Sequence, residues 1–203
     1  MTGKAGKMKK FNVTMVIVFV ALAASAMFAP ALTAVQNKDS ELCNAAMSGD
    51  IKKAEKFIRR GAFVNAKNCD GKTPLMLALE NSHQYIAEML IKKGANPNFA
   101  DPGGTTPLMI AAQKGFVDIV KLLLSKGANP NTQQSNIKSV YSSENKTPIM
   151  FAAEGGNTDI VKMLIAKGAD VNKKSRDGKT ALKIAEEKGF SDVAGILKKA
   201  GAK

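Results

Sequence analysis

Three methionines recur at one position of a repeated pattern, and thioether sulfur is a ligand that selects Cu(I). Met76, Met109 and Met150 each stand three residues after a Thr-Pro dipeptide's threonine. Equivalent positions in successive packed helices lie about 8–10 Å apart, so one ion cannot contact two of these side chains. We therefore expect the methionines to fill a core, and we expect neither a metal site nor a cofactor.

The chain contains two cysteines, Cys43 and Cys69, both in or beside the first copy of the pattern. In an oxidising compartment they could form a disulfide. The alternative is one buried thiol and one loop thiol, and the sequence leaves both open because pairing requires Cα atoms within about 7 Å. A third hypothesis gives the two thiols a metal or redox role as an enzyme accessory.

No familiar catalytic constellation can be assembled from the remaining polar residues. His83 is the single histidine, has no nucleophile at a recognisable spacing, and is expected to have a structural role. Glu80 and Glu154 occupy the same repeat position two units apart, so they do not form a carboxylate pair. The sequence predicts a protein that is not an enzyme.

The elements that position these residues repeat along the chain. Gly-Ala pairs begin at Gly61, Gly94, Gly127, Gly168 and Gly201, at intervals of 33, 33, 41 and 33 residues. An asparagine follows each of the first four glycines after four residues. A period of this length predicts stacked copies of a unit too small to bury its apolar face alone.

Within each copy the pattern predicts two helices and a turn. Thr-Pro, as at Thr106-Pro107, begins a short first helix, because threonine caps it and proline fits its first turn. Apolar residues at helical spacing, as in 119–124, predict a longer second helix, which the glycine of Gly-Ala ends in a left-handed conformation. The following asparagine and Asp-Gly, as at Asp70-Gly71, indicate a tight turn.

In combination, the Thr-Pro-Leu, Ala-Ala, Ile-Val-x-Leu-Leu-Leu and Gly-Ala-x-x-Asn elements resemble the ankyrin repeat family. The resemblance covers residues 40–203 and implies an all-α repeat solenoid of five helix–turn–helix repeats with hairpin fingers, whose fingers and first helices build a concave face. We expect repeats at about 40–69, 70–102, 103–143, 144–176 and 177–203. The outer copies depart from the pattern, with Ser40-Glu41 replacing Thr-Pro in the first and Ala181 replacing proline in the last. Such departures suit terminal repeats that face water.

The one long interval places eight extra residues between Asn131 and Thr147, in a polar segment at 132–143. Insertions in repeat proteins fall in loops on one face, often the binding face. An enlarged finger that contacts a partner is one interpretation, and a tolerated loop expansion is the other. Candidate partner-binding residues in this and the other fingers are Ile137, Val140, Tyr141, Lys67, Phe99, Lys174 and Arg176.

The first residues are typical of an export signal. Four lysines precede an apolar run at 13–29, which is followed by Pro30 and a small-residue zone. We expect a signal peptide at 1–34, cleaved after Ala34 or alternatively after Ala26, and a linker at 35–39. An uncleaved inner-membrane anchor remains the alternative, although the run is slightly shorter than the about 20 residues of a full span.

The formal net charge is +13, and basic residues recur on the second helices. Periodic charge of this kind suits a solvated face, and it also permits weak attraction to an anionic membrane surface. We expect no nucleic acid partner, because no aromatic stacking platform accompanies the charge. The basic residues are Lys52, Lys53, Lys56, Arg59, Arg60, Lys92, Lys93, Lys121, Lys126, Lys162, Lys167, Lys198 and Lys199.

Taken together, these patterns favour a monomeric, periplasmic or secreted scaffold that binds another protein through its concave face and the finger at 132–143. The alternative is a membrane-tethered structural or envelope-stress protection module.

Overall fold

The computed structural model describes residues 38–134 and 144–203, and those residues form ten helices and no strand. Consecutive helices form helix–turn–helix pairs, which we name the first to fifth units in chain order. The predicted all-α repeat solenoid is confirmed. The helices are α1 (38–48 in the described part), α2 (Ile51–Arg59), α3 (Pro74–Glu80), α4 (Gln84–Lys92), α5 (Pro107–Lys114), α6 (Val117–Ser125), α7 (Pro148–Glu154), α8 (Thr158–Ala166), α9 (Ala181–Glu187) and α10 (Ser191–Lys199).

The first helices begin as the Thr-Pro pattern predicts. The hydroxyl oxygens of Thr73, Thr106 and Thr180 each accept the backbone N–H three residues later, at 3.4 Å. At Thr147 the sulfur of Met150 instead accepts the threonine's own backbone N–H, at 3.4 Å. These contacts satisfy amide groups that a helix N-terminus leaves without a partner.

The second helices end at the Gly-Ala pairs. The five glycines have φ between +80° and +88°, and the N–H of each following alanine donates to the carbonyl oxygen five residues before it, at 2.9–3.0 Å. This is a Schellman C-cap, in which glycine takes the left-handed conformation without the steric penalty of a side chain. The glycines are Gly61, Gly94, Gly127, Gly168 and Gly201.

The asparagine after each Gly-Ala pair connects one unit to the next. Asn98 accepts the N–H of Asn129 at 2.8 Å and donates to the carbonyl oxygen of Gly127 at 2.9 Å. Asn131 makes the corresponding two bonds to Asp170 and Gly168, both at 2.8 Å. The sequence interpretation as a turn signal missed this role, which fixes the spacing of neighbouring units.

The core is a single cluster that extends from Leu42 in α1 to Leu197 in α10. The first helices α3, α5, α7 and α9 pack in order, as do the second helices. Fully buried alanines such as Ala111 and Ala152 let the first helices approach closely. Residues 38 and 39 already belong to α1, although the sequence assigned them to a linker, and the Asp39 carboxylate accepts the N–H of Phe63 at 2.7 Å.

Candidate functional site

The segments between units form four fingers, at residues 63–72, 96–105, 129–146 and 170–179; the third is the long finger. Each finger closes through a backbone bond from one N–H to a later carbonyl oxygen: Asn68 to Lys72, Asp101 to Thr105, Gln134 to Lys146, and Ser175 to Lys179, at 2.9–3.1 Å. The paired residues are four apart in three fingers and twelve apart in the long finger. The eight extra residues therefore lie between Gln134 and Lys146.

In three of the four places where the end of a finger meets the end of the next first helix, lysine and glutamate side chains pair. Lys72 Nζ donates to Glu80 at 2.7 Å, Lys146 to Glu154 at 2.9 Å, and Lys179 to Glu187 at 2.6 Å. We call this series of pairs the ladder, and the surface that carries it the finger–helix face. The ladder joins fingers to first helices in the second, fourth and fifth units.

Lys146 is the most buried cation of the ladder, with a side chain only 13% exposed. It contacts Glu144 as well as Glu154, and its Nζ lies 5.7 Å from the centre of the Phe151 ring. Burial lowers the pKa of Lys146, but hydrogen bonds to the two carboxylates outweigh burial and raise it. A permanently charged lysine thus stands beside the base of the long finger.

The ladder is interrupted in the third unit. Thr105 and Gln113 occupy the positions that are lysine and glutamate in the neighbouring units, and Gln134 of the long finger donates to the Thr105 hydroxyl oxygen at 3.1 Å. We call this place the gap. It opens into a cleft of about 480 Å³ with an apolar floor that includes Ile110 and Phe151. An adjacent cleft of about 520 Å³, lined by the charged residues of the fourth and fifth units, shares Glu144 with it.

Comparison with protein-family models decides the family. Models of ankyrin repeats (3 copies) match residues 42–134 and 133–203. The chain belongs to the ankyrin repeat family. Ankyrin repeats generally mediate protein–protein interaction, and proteins built from them are typically non-enzymatic scaffolds. The comparison with curated proteins found no match.

In this ankyrin domain the predicted partner-binding residues fall into three groups. Ile137, Val140 and Tyr141 lie outside the described residues. Lys174 and Arg176 belong to the finger after the long one and join its base: the Lys174 carbonyl oxygen accepts from Gln133 at 2.8 Å, and the Arg176 N–H donates to the Glu144 carbonyl oxygen at 3.0 Å.

The third group lies two fingers away. Lys67 Nζ lies 5.5 Å from the centre of the Phe99 ring, so these two residues contact each other across the first and second fingers. Phe99 is also half-buried against the core. The structure therefore brings Lys67 and Phe99 together, but it separates them from Lys174 and Arg176.

Sequence reasoning missed the ladder and the gap. A signal was present, because lysine precedes Thr-Pro or Thr-Ala in three units and glutamate stands eight residues later, whereas the third unit has Thr105 and Gln113. Residues eight apart do not meet within one helix. Only the folded angle of the fingers brings them into contact.

The methionines, the histidine and the cysteines whose types suggested chemistry lie in packing or loop positions. Met76, Met109 and Met150 are at most 1% exposed, which supports the packing interpretation. His83 lies just before α4 with its Nε2 3.1 Å from the Met47 carbonyl oxygen. Cys43 is buried and Cys69 is exposed, and no bond joins them in the structure. Their pairing in an oxidising compartment stays a prediction.

Residues 38–134 and 144–203 also lack two features that would suggest other functions. They contain no group of three or more His, Cys, Asp or Glu side chains arranged to hold a metal ion. None of their helices has the length and apolar character needed to cross a bilayer.

Proposed function

We propose that this ankyrin repeat protein is a non-enzymatic, monomeric scaffold that binds a partner protein at the gap and the long finger. The observation that carries the proposal is the coincidence of two irregularities. Among the second to fifth units, within residues 72–134 and 144–187 of the described structure, the ladder is interrupted only in the third. The eight-residue insertion begins beside that interruption, after Gln134.

The chemistry of the gap suggests what the partner supplies. The third unit has no lysine–glutamate pair, and its cleft has an apolar floor rimmed by the Thr105 hydroxyl and the Gln113 and Gln134 amides. The charged side chains of Glu80, Lys114 and Glu144 also line it. Such a cleft suits an uncharged aromatic or aliphatic side chain, since interface hot spots are desolvated pockets filled by such anchors. The charged cleft beside it would supply specificity and steering more than affinity.

A direct test uses a photo-crosslinking amino acid at Gln113, with Lys121 on α6 of the same unit as the matched control position. We expect crosslinked partner from position 113 and little from position 121, in extracts of the native host's envelope. Equal yields from the two positions would contradict binding at the gap.

A second test removes the insertion. Deleting residues 135–142 restores the four-residue spacing between Gln134 and Lys146, so the shortened finger retains its closing bond. Folding should be unchanged while crosslinking from position 113 falls at least about tenfold, or about 1.4 kcal/mol. Unchanged crosslinking would support the tolerated-expansion interpretation instead.

We further propose that the chain is exported to the periplasm or beyond, with cleavage after Ala34. The support is the order of the lysine-rich start, the apolar run at 13–29 and the small-residue zone. Mass spectrometry of the mature N-terminus tests this, and an intact Met1 in the membrane fraction would favour the anchored alternative.

A further inference from the structure

The first unit carries a cluster of basic side chains on one face of α2. Lys52, Lys53, Lys56, Arg59 and Arg60 fall within an arc of about 120° when 100° is counted per residue. All five are exposed, and the one fully buried residue of the helix, Ala54, lies on the opposite side. We call these five residues the basic edge.

Few carboxylates offset the charge of the basic edge. Lys53 lies 3.3 Å from Asp50, and Arg59 lies 3.9 Å from Glu55. Lys52, Lys56 and Arg60 have no ion pair within the part of the chain that the structure describes. The face therefore has an excess of positive charge with which an anionic surface can interact.

Comparison with the other units shows where this face points. The position of Lys53 is occupied by a buried apolar residue in every later unit: Ile86, Ile119, Ile160 and Val193. The position of Lys56 is occupied by a half-buried apolar residue: Met89, Leu122, Met163 and Ile196. In those units the side chains belong to the core cluster or pack against it. The lysines therefore occupy a stacking surface on which no described unit sits.

The first unit also exposes apolar side chains, as later units do at Tyr85, Val117 and Phe190. Met47 is 49% exposed and Phe63 is 60% exposed. The equivalent residues in later units are all polar: Glu80, Gln113, Glu154 and Glu187 for Met47, and Asn96, Asn129, Asp170 and Lys203 for Phe63. Cations combined with protruding apolar groups are typical of segments that lie in the interface of an anionic membrane.

The sequence before the domain favours a lipid surface over an acidic protein. The apolar run ends at Ala29, and eight residues stand between it and Lys38, the first described residue of the repeat domain. Eight residues span at most about 28 Å, so in the uncleaved, anchored form of the chain the first unit is the part of the repeat domain held closest to the membrane that contains the run. This step therefore applies to the anchored alternative and not to a chain cleaved after Ala34. An acidic protein would match the charge but would not account for this proximity.

We propose that the basic edge of the first unit binds the surface of an anionic phospholipid bilayer, with Phe63, three residues after Arg60, entering the interfacial region. Docking through α2 leaves the finger–helix face of the third and fourth units exposed. The scaffold would thus be held at a membrane while it binds its partner. This inference does not depend on the proposed partner-binding function.

The test measures partitioning of the full-length chain, as purified from cells, onto two kinds of vesicle: phosphatidylcholine alone, and equal parts of phosphatidylcholine and phosphatidylglycerol. The quantity compared is the ratio of the two partition coefficients, because any contribution of a retained apolar run is largely common to both. We expect a large ratio at low salt that falls as salt screens the charges.

The variant Lys52→Gln/Lys56→Gln/Arg60→Gln removes the three cations without ion pairs. Each cation near an anionic surface contributes roughly a factor of five to ten in binding, so the ratio should fall about 100-fold. The matched control, Lys121→Gln/Lys126→Gln/Lys167→Gln, loses the same charge from exposed residues of later units and should change the ratio less than about threefold. Phe63→Ser should weaken binding to the anionic vesicles while preserving its salt dependence.

Three results would overturn the proposal: an equal loss in the control variant, retention of the ratio in the edge variant, or a wild-type ratio near one. A last arm uses polyglutamate as an acidic polypeptide. Protection of the 50–63 amides from hydrogen exchange by polyglutamate but not by anionic vesicles would assign the edge to an acidic protein and refute the lipid proposal. Circular dichroism of each variant checks that the fold is retained.

Discussion

The first and third units depart from the repeat pattern in opposite directions. The third unit loses a charged pair on the finger–helix face, where Thr105 and Gln113 replace lysine and glutamate. The first unit gains charge on its stacking surface, where Lys53 and Lys56 replace apolar residues. The loss of the pair in the third unit opens a cleft between units. The added charge in the first unit lies on a surface that no described unit covers. In a protein made of copies, a function specific to one place is found where a copy differs from the others.

Interior and outer units should differ most at the methionine position. Met76→Lys places a charge at a fully buried site with no carboxylate to pair with it, so we expect a loss of at least about 3 kcal/mol in the free energy of unfolding. Lys183 occupies the same position in the fifth unit and is exposed, so Lys183→Met should change stability by less than about 0.5 kcal/mol. Urea denaturation of both variants measures the difference, and similar losses would contradict the distinction between interior and outer units.

The first unit should also differ in its response to alkaline pH. Burial, with smaller contributions from Asp39 and Cys69, raises the pKa of Cys43 from 9.0 to about 11. The folded state therefore disfavours the thiolate, and the stability present below about pH 9 is lost as pH rises towards 11. The loss amounts to about 2–3 kcal/mol, at 1.4 kcal/mol per pH unit.

Urea midpoints measured from pH 8 to pH 11 test this expectation. Cys43→Ala should remove the alkaline loss of stability that Cys43 causes, whereas Cys69→Ser, the control at an exposed site, should keep most of that loss. Repeating the series without reductant also tests the disulfide hypothesis. If the wild type loses this component only after reduction, the two cysteines pair in the oxidised protein. A Cys43→Ala variant with the wild-type slope would refute the titration of Cys43.

The bonds between units should weaken from the interior towards the first unit. Asn98 makes two bonds to the next unit, whereas Asn65 makes one in the described structure, to the N–H of Asn96 at 2.8 Å. At about 1 kcal/mol for each bond, Asn98→Ala should cost about 2 kcal/mol and Asn65→Ala about half of that. Equal losses in thermal or urea unfolding would show that the extra bond contributes nothing.

Features set by local chemistry were predictable from the sequence. Thr-Pro favours a helix start and Gly-Ala a helix end through local contacts, so the repeated pattern indicated the helices, their order and the position of the insertion. The ladder and the Asn98 bonds were not predictable in the same way, because each joins residues whose distance depends on how fingers and units are placed. The start of α1 at or before residue 38 was missed for a related reason, since the Asp39–Phe63 bond lies between residues 24 apart.

Restoring the missing pair in the third unit should change the free energy of unfolding very little. The same variant tests whether the gap binds the partner. Thr105→Lys with Gln113→Glu restores the missing pair, at a site where the equivalent Lys72 and Glu80 side chains are about a third exposed. A pair this exposed stabilises by about 0.5 kcal/mol and less at high salt, so urea unfolding should show a slight gain. Position 113 is a glutamate in this variant and cannot also carry the crosslinking amino acid. The crosslinker is therefore placed at position 134 on the rim of the cleft, and the yield of crosslinked partner should fall about tenfold.

A control variant, Lys179→Thr with Glu187→Gln, transfers the third unit's residues to the fifth unit, which has no insertion beside it. It should leave the yield of crosslinked partner unchanged. A stability gain without loss of crosslinking would mean that the third unit lost its pair without consequence, and that the partner is bound elsewhere.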